Sequence, residues 1–210
     1  MISHDRASVQ TEIKPRRPKR RGTLAFLSEF ILSPLQIGAF AESPPWVARA
    51  MVDGLGVEQA KAVAEFGPGT GPITTEILRR MPGDCTFFAI EKSDRLAEIF
   101  RKRHPETTLF QDSAERIREL CGRVGVQQLD AVVTSIPWIL MPGSLQERIL
   151  DETVSMMRPG ARFSTITYRS EKFGLVKKFR ALMDKKFGVV EPVSVVKSRL
   201  SNAYIYRCTK

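Results

Sequence analysis

Apolar and polar positions along this chain switch between two periods, and each switch marks the boundary of an element. Ala62 to Phe66 is apolar except for Glu65, the pattern of a strand buried on both faces. It passes into Gly67-Pro-Gly-Thr-Gly71, after which Pro72 suits the first turn of a helix running through Ile73, Ile77 and Leu78 to Met81. Cys85 to Ile90 reads as a second strand. The helix Asp94 to His104 follows, with Leu96, Ile99 and Phe100 inward and Arg101, Lys102 and Arg103 outward. His104, ahead of Pro105, is expected in solvent. Thr107 to Phe110 is a third strand, and a helix begins at Gln111-Asp-Ser-Ala114. Leu129 to Thr134 is a fourth strand, followed by a helix over about Ser144 to Met157. Arg158-Pro-Gly160 reads as a turn into the strand Ala161 to Tyr168. A basic helix from Lys172 to Phe187 and two closing strands, near Val189 to Val196 and Ala203 to Arg207, complete the pattern.

Strands and helices alternating at this spacing predict an α/β fold, a doubly wound, seven-stranded and mostly parallel sheet. Ligands in such sheets bind past the carboxyl ends of the strands, where the strand order reverses. Glu65, Glu91, Asp112 and Ser135 all stand at those ends.

Ahead of this region the pattern is different. Residues 1–22 lack apolar periodicity and contain Lys14-Pro-Arg-Arg-Pro-Lys-Arg-Arg21, the reading of a flexible basic arm. In Thr23 to Leu32 a capped helix would carry Leu24, Leu27 and Ile31 in one stripe, with Phe26 and Phe30 beside it. Two readings of that helix stand: a membrane-surface anchor whose neighbouring arm meets anionic headgroups, or a helix packed into the core. A second helix starts at Ser43-Pro-Pro45 and runs through Trp46, Val47 and Met51 to Gly54. The chain thus divides into an arm (1–22), N-terminal helices (23–56) and an α/β domain (57–210).

The 210 residues suffice for one well-packed α/β domain and are short for two. There is no apolar run of about 18 residues to span a bilayer, and the N-terminus is basic where a signal peptide would be apolar. Cys85, Cys121 and Cys208 share no metal-ligand spacing and leave one thiol over in any disulfide scheme, so reduced thiols, no metal and a cytoplasmic setting are expected. The net charge of +10 calls for an anionic partner, either lipid or nucleic acid. Residues 1–22 hold seven of the basic residues against two acids, so much of that charge sits in the arm.

The glycine loop ends in neither Gly-Lys-Ser nor Gly-Lys-Thr, as a phosphate cradle would, and its third glycine falls one position early for a dinucleotide loop. Instead, an acidic residue at the strand end is followed two, four and six positions later by glycines, and a second acid, Glu91, lies twenty positions after Gly71. On these residues the chain resembles the class I S-adenosylmethionine-dependent methyltransferases, whose first motif reads acidic-x-Gly-x-Gly-x-Gly. The resemblance implies a Rossmann-like fold, S-adenosylmethionine as cofactor and S-adenosylhomocysteine as product. Glu65 would then attract the ammonium of the ligand directly or through water, and the backbone of Gly67, Pro68, Gly69, Thr70 and Gly71 would meet its carboxylate. Glu91, beside Lys92, would accept the ribose hydroxyls. Asp112 would take the adenine amino group or cap the following helix, or the two roles would fall to Asp112 and Ser113 respectively. Phe40 to Trp46, ahead of the first strand, reads as a lid over cofactor and substrate or as packing.

Ser135-Ile-Pro-Trp138, at the fourth strand end, is where the resembling family holds its nucleophile. Methylases of nucleic-acid amino groups often show Asn or Asp, then Pro-Pro and an aromatic; here Pro137 and the aromatic remain, while the first residue and the first proline are replaced. The pattern is closer to the bacterial soluble-type phospholipid N-methyltransferases, which carry phosphatidylethanolamine stepwise to phosphatidylcholine. Ser33-Pro-Leu-Gln-Ile-Gly-Ala39, the glycine motif, Ser135 to Trp138 and Asn202-Ala-Tyr-Ile-Tyr206 carry that resemblance. It implies a peripheral membrane enzyme on the inner membrane face. Ser135, Pro137, Trp138 and Tyr168 would serve at the reacting amine, Trp138, Tyr168 and Trp46 as aromatic faces for cationic products or as core residues. Phe26, Phe30, Arg169 and Lys172 would meet the membrane and its phosphates. Two alternatives are an RNA adenine-N6 dimethyltransferase, whose usual C-terminal helical domain has no room in the three residues after Arg207, and a non-catalytic lipid- or RNA-binding module on the same fold.

Overall fold

The computed structural model describes residues 45–167, 174–197 and 202–210. Helix α1 (Pro45–Val52) leads through a single 3-10 turn into strand β1 (Ala62–Phe66). Helix α2 (Pro72–Arg80), β2 (Thr86–Ile90), α3 (Asp94–Arg103) and β3 (Thr108–Phe110) follow. Next come α4 (Ile117–Arg123), β4 (Leu129–Thr134), α5 (Gly143–Met156), β5 (Met157–Thr167), α6 (Gly174–Lys186), β6 (Val189–Lys197) and β7 (Asn202–Thr209).

The strands form one seven-stranded sheet in the order β3-β2-β1-β4-β5-β7-β6. β3, β2, β1, β4 and β5 are mutually parallel, whereas β7 runs antiparallel to both of its neighbours. The strand order reverses between β1 and β4, so the cleft expected of a doubly wound sheet opens beside the end of β1. β1 is buried at all five positions because helices cover both of its faces.

On one face, Phe66, Phe88 and Phe163 pack with Leu120 of α4, Leu150 of α5 and Phe179 of α6. On the other, Val63, Ala89 and Val133 meet Met51 of α1, Ile77 of α2 and Phe100 of α3. Each of these Val, Leu, Ile, Met and Phe side chains, fully buried, contributes about 1.5–3 kcal/mol. α1 is thus part of the same core as the sheet. Its Val47, Ala48, Met51 and Val52 are buried, while Trp46 remains 44% exposed.

Several expectations need correcting. Arg158-Pro-Gly160 is no turn ahead of a strand: β5 already begins at Met157, and the three residues lie at a register shift against β4. Gly160, at φ 76°, supplies the left-handed backbone that this bulge requires. The segment after β3 opens as a 3-10 turn, Ala114–Arg116, before α4. His104 is only partly exposed, because its ring packs on Phe100 with centroids 5.0 Å apart.

The arm, the 23–32 helix with Phe26 and Phe30, residues 40–44 of the lid, and Tyr168, Arg169 and Lys172 lie outside the described residues. Among the described residues no helix is long and apolar enough to cross a membrane.

Candidate functional site

Four parallel strands end side by side, and their hydrogen bonding continues past the strand ends. Gly67 N–H donates to the Ile90 carbonyl at 2.8 Å, Glu91 N–H to Phe110 at 3.0 Å, and Ser135 N–H to Phe66 at 3.0 Å. These bonds lock the glycine loop, Glu91 and Ser135 into one edge.

The loop itself is set by three left-handed glycines: Gly67 at φ 70°, Gly69 at 59° and Gly71 at 90°. Their reasons differ. A β-carbon on Gly67 would lie 2.8 Å from Ile136 Cγ2, and one on Gly71 would lie 2.2 Å from His104 Nε2. Gly69, by contrast, faces open space, with nothing within 4 Å of such a carbon. The first and last glycines are required by packing, and the middle one leaves bare backbone facing open space at the loop crest. Pro68 and Thr70 are buried on either side of it, and Arg103 Nη1 holds the Thr70 carbonyl at 3.3 Å.

Two carboxyl groups line this edge. Glu65 is 0% exposed; its Oε2 accepts the Thr74 hydroxyl at 2.6 Å, and its Oε1 has no partner. Burial pushes its pKa up to about 8, the Thr74 hydrogen bond opposing and the charge of Glu91 adding to the rise. Glu91, 7% exposed, accepts Ser93 N–H on Oε1 at 2.9 Å and Gly69 N–H on Oε2 at 3.3 Å. Desolvation raises its pKa, against the pull of those backbone donors. Among the described residues neither group forms an ion pair, while Arg103 holds the Thr70 carbonyl and Arg116 pairs with Asp112. Two buried carboxyl groups with no paired cation are acceptors that fit a ligand bearing an ammonium or hydroxyl groups.

Ser135 spends its hydroxyl proton on the Gly67 carbonyl at 2.6 Å, so it braces the loop from the β4 side. The carbonyl of Pro137 turns inward to accept Leu140 N–H at 3.0 Å. Of the two readings of Trp138, the core residue is the one the structure supports, against its service at the reacting amine: it is 1% exposed, stacks on Phe179 at 4.9 Å and donates its indole N–H to Thr134 at 3.2 Å. Asp112 sits at the β3 end, but its oxygens accept Ser113 N–H at 2.7 Å and pair with Arg116 at 2.6 Å. Ser113 is the helix cap, accepting Glu115 N–H. Lys92 is exposed beside Glu91.

Three contributors escaped the sequence reading. Thr74 is a polar residue on the buried stripe of α2, and that mismatch of pattern was its signal. Gln146 is another: buried on α5, it donates to the carbonyls of Trp138 at 2.7 Å and Met141 at 3.1 Å, fixing the segment after β4. His104 left no signal, since only the fold brings it to Gly71.

No family model matches this chain. It is 31% identical over 145 residues to an ornithine lipid N-methyltransferase of Singulisphaera acidiphila, covering 68% of this chain and 76% of that one. It is 30% identical over 146 residues to ribosomal RNA small subunit methyltransferase A of Chlorobaculum parvum, but spans only 52% of that protein's length. Among solved structures, the N-methyltransferase NodS of Bradyrhizobium japonicum with S-adenosyl-L-homocysteine superposes with a TM-score of 0.63 at 13% identity, covering 90% of this chain and 98% of that one.

Proposed function

From the premise that the chain belongs to the class I S-adenosylmethionine-dependent methyltransferases, we propose that it methylates the amine of a phospholipid headgroup at a membrane surface. The substrate would be phosphatidylethanolamine, with its mono- and dimethyl forms, on the way to phosphatidylcholine. The likeness to a lipid N-methyltransferase across three quarters of that relative supports the lipid class.

The single observation that carries the lipid class is that likeness; the burial of Trp138 removes an aromatic face from a cationic headgroup as well as from a base. In the resembling base methylases the aromatic after the fourth strand stacks on the target base. Here that ring lies against Phe179 and Phe163 and offers no face to a base. The similarity to a ribosomal RNA methyltransferase keeps adenine methylation as the second reading.

S-adenosylmethionine, when bound, supplies an electrophilic methyl group on a sulfonium. The acids suit its other groups: Glu65 Oε1 is unpartnered and would take the ammonium, and each oxygen of Glu91 retains a lone pair beside its backbone donor for the ribose hydroxyls. The open crest at Gly69 admits a ligand against bare backbone. Ser135 and Arg103 hold the carbonyls of Gly67 and Thr70, so the loop is already formed before the ligand arrives. Transfer to an amine needs that amine unprotonated and in line with the leaving sulfur, which is a matter of desolvation and alignment. The arm, Phe26 and Phe30 would seat the protein on anionic lipid at the cytoplasmic membrane face, with Arg169 and Lys172 near the headgroup phosphate.

The test is methyl transfer from labelled S-adenosylmethionine offered to vesicles of phosphatidylethanolamine with anionic lipid and, separately, to RNA. Label in lipid is expected. Label in RNA alone would replace this reading with the second.

A further inference from the structure

The carboxyl group of Glu65 is fully buried in the ligand-free protein and has only one hydrogen-bond partner. Its neighbours in the sheet register are apolar, Ala89 on β2 and Val133 on β4. From α2 it meets the neutral hydroxyl of Thr74, and from the end of β2 the like charge of Glu91. A charged carboxylate there has no solvent and, among the described residues, no cation to stabilise it.

We propose that Glu65 is a neutral carboxylic acid in the cofactor-free protein, that binding a ligand with an ammonium group expels its proton, and that Thr74 is the residue that positions the carboxyl group for this exchange. The inference rests on reading the edge as a methyl-donor site. In the exchange the O–H bond of Glu65 breaks, the proton passes to solvent buffer, and the remaining carboxylate pairs with the ligand's ammonium; nothing is oxidised or reduced. The burial that lifts the group to a pKa of about 8 leaves it mostly protonated at neutral pH. Each binding event there releases close to one proton, and affinity rises nearly tenfold per pH unit until the carboxyl group ionises by itself. Thr74 donates its hydrogen to Oε2, which leaves Oε1 as the oxygen with its hydrogen-bonding capacity unused and so the one to pair with the ammonium.

Calorimetric titration of the full chain with S-adenosylhomocysteine, in buffers of different ionisation enthalpy, measures the proton count directly. Near-stoichiometric release at neutral pH is expected, with a slope of about one in log affinity from roughly pH 6 to roughly pH 7.5. Glu65→Gln should bind without release and with a flat pH profile over that range. Thr74→Val removes a hydrogen bond that favours the ionised form, so the pH at which affinity levels off should move upward, and Thr74→Ser should restore it. Thermal melts establish that each variant is folded. Binding without proton release in the wild type, or equal release from Glu65→Gln, would overturn the inference alone. Failure of the folded wild type to bind would overturn the donor-site reading, and the inference with it.

Discussion

The imidazole of His104 stands where a side chain on Gly71 would have to go, with Nε2 2.2 Å from the position of a β-carbon there. The end of α3 therefore buttresses the start of α2 through a residue that has no side chain. Burial holds the imidazole below the ordinary histidine pKa, the Gly71 backbone pulling the other way. Gly71→Ala, clashing with that ring at φ 90°, should cost about 1–3 kcal/mol of stability, read from urea unfolding.

Gly69→Ala separates ligand space from packing. Its methyl meets no protein atom, so the stability cost should stay near the roughly 1 kcal/mol of a left-handed alanine. Affinity for S-adenosylhomocysteine should fall tenfold or more, because the methyl enters the open space read as the ligand's. Equal affinity in the variant and wild type would place the ligand elsewhere.

Trp138 is predicted to matter for stability rather than for substrate. Trp138→Ala should cost about 3–5 kcal/mol, as for other large aromatics in a core. Trp138→Phe keeps most of the stacking on Phe179 and should leave the Michaelis constant for lipid unchanged. A large rise in that constant at unaltered stability would return the indole to the substrate site.

Two buried acids set opposite pH limbs of stability. Glu76 is held near a pKa of about 2 by the guanidinium of Arg79, with Arg80 assisting against desolvation. Its folded value lies below the unfolded one, so its contribution is present above about pH 4.5 and is lost as pH falls toward 2. Glu76→Gln should cost about 1 kcal/mol near neutrality, given that Arg79 faces water, and little at the acid end. Glu65 is the reverse case. Its folded pKa is raised, so the cofactor-free fold loses stability as pH climbs from about 4.5 through about 8, and Glu65→Gln should be the more stable protein at alkaline pH. Melting temperatures across pH check both signs.

Much of this fold was legible because local pattern and tertiary environment agree. The apolar run at Ala62–Phe66 and the glycines behind it announce a buried strand and a tight turn, and the fold has both. The strand-end acids were legible for the same reason, since in a parallel sheet adjacent strands end together. Trp138 stayed between two readings because an aromatic beside a strand end satisfies a binding pattern and a core pattern equally. Only the arrival of Phe179, forty-one residues on, decides between them. The bulge at Arg158 to Gly160 looked like a turn because proline and glycine mark either. His104 and Gln146 were beyond reach, their roles arising from contacts distant in sequence.

Equilibrium dialysis of radiolabelled S-adenosylmethionine against wild type and Glu91→Gln tests the central claim most directly. Glu91 accepts a loop N–H in the protein alone, and the charged acceptor it would offer to ribose is removed in the variant. The predicted result is saturable binding by wild type and a loss of about 1.5–3 kcal/mol, tenfold or more, in the folded variant. Equal binding by both, or none by folded wild type, would contradict the placement of the methyl donor at this sheet edge.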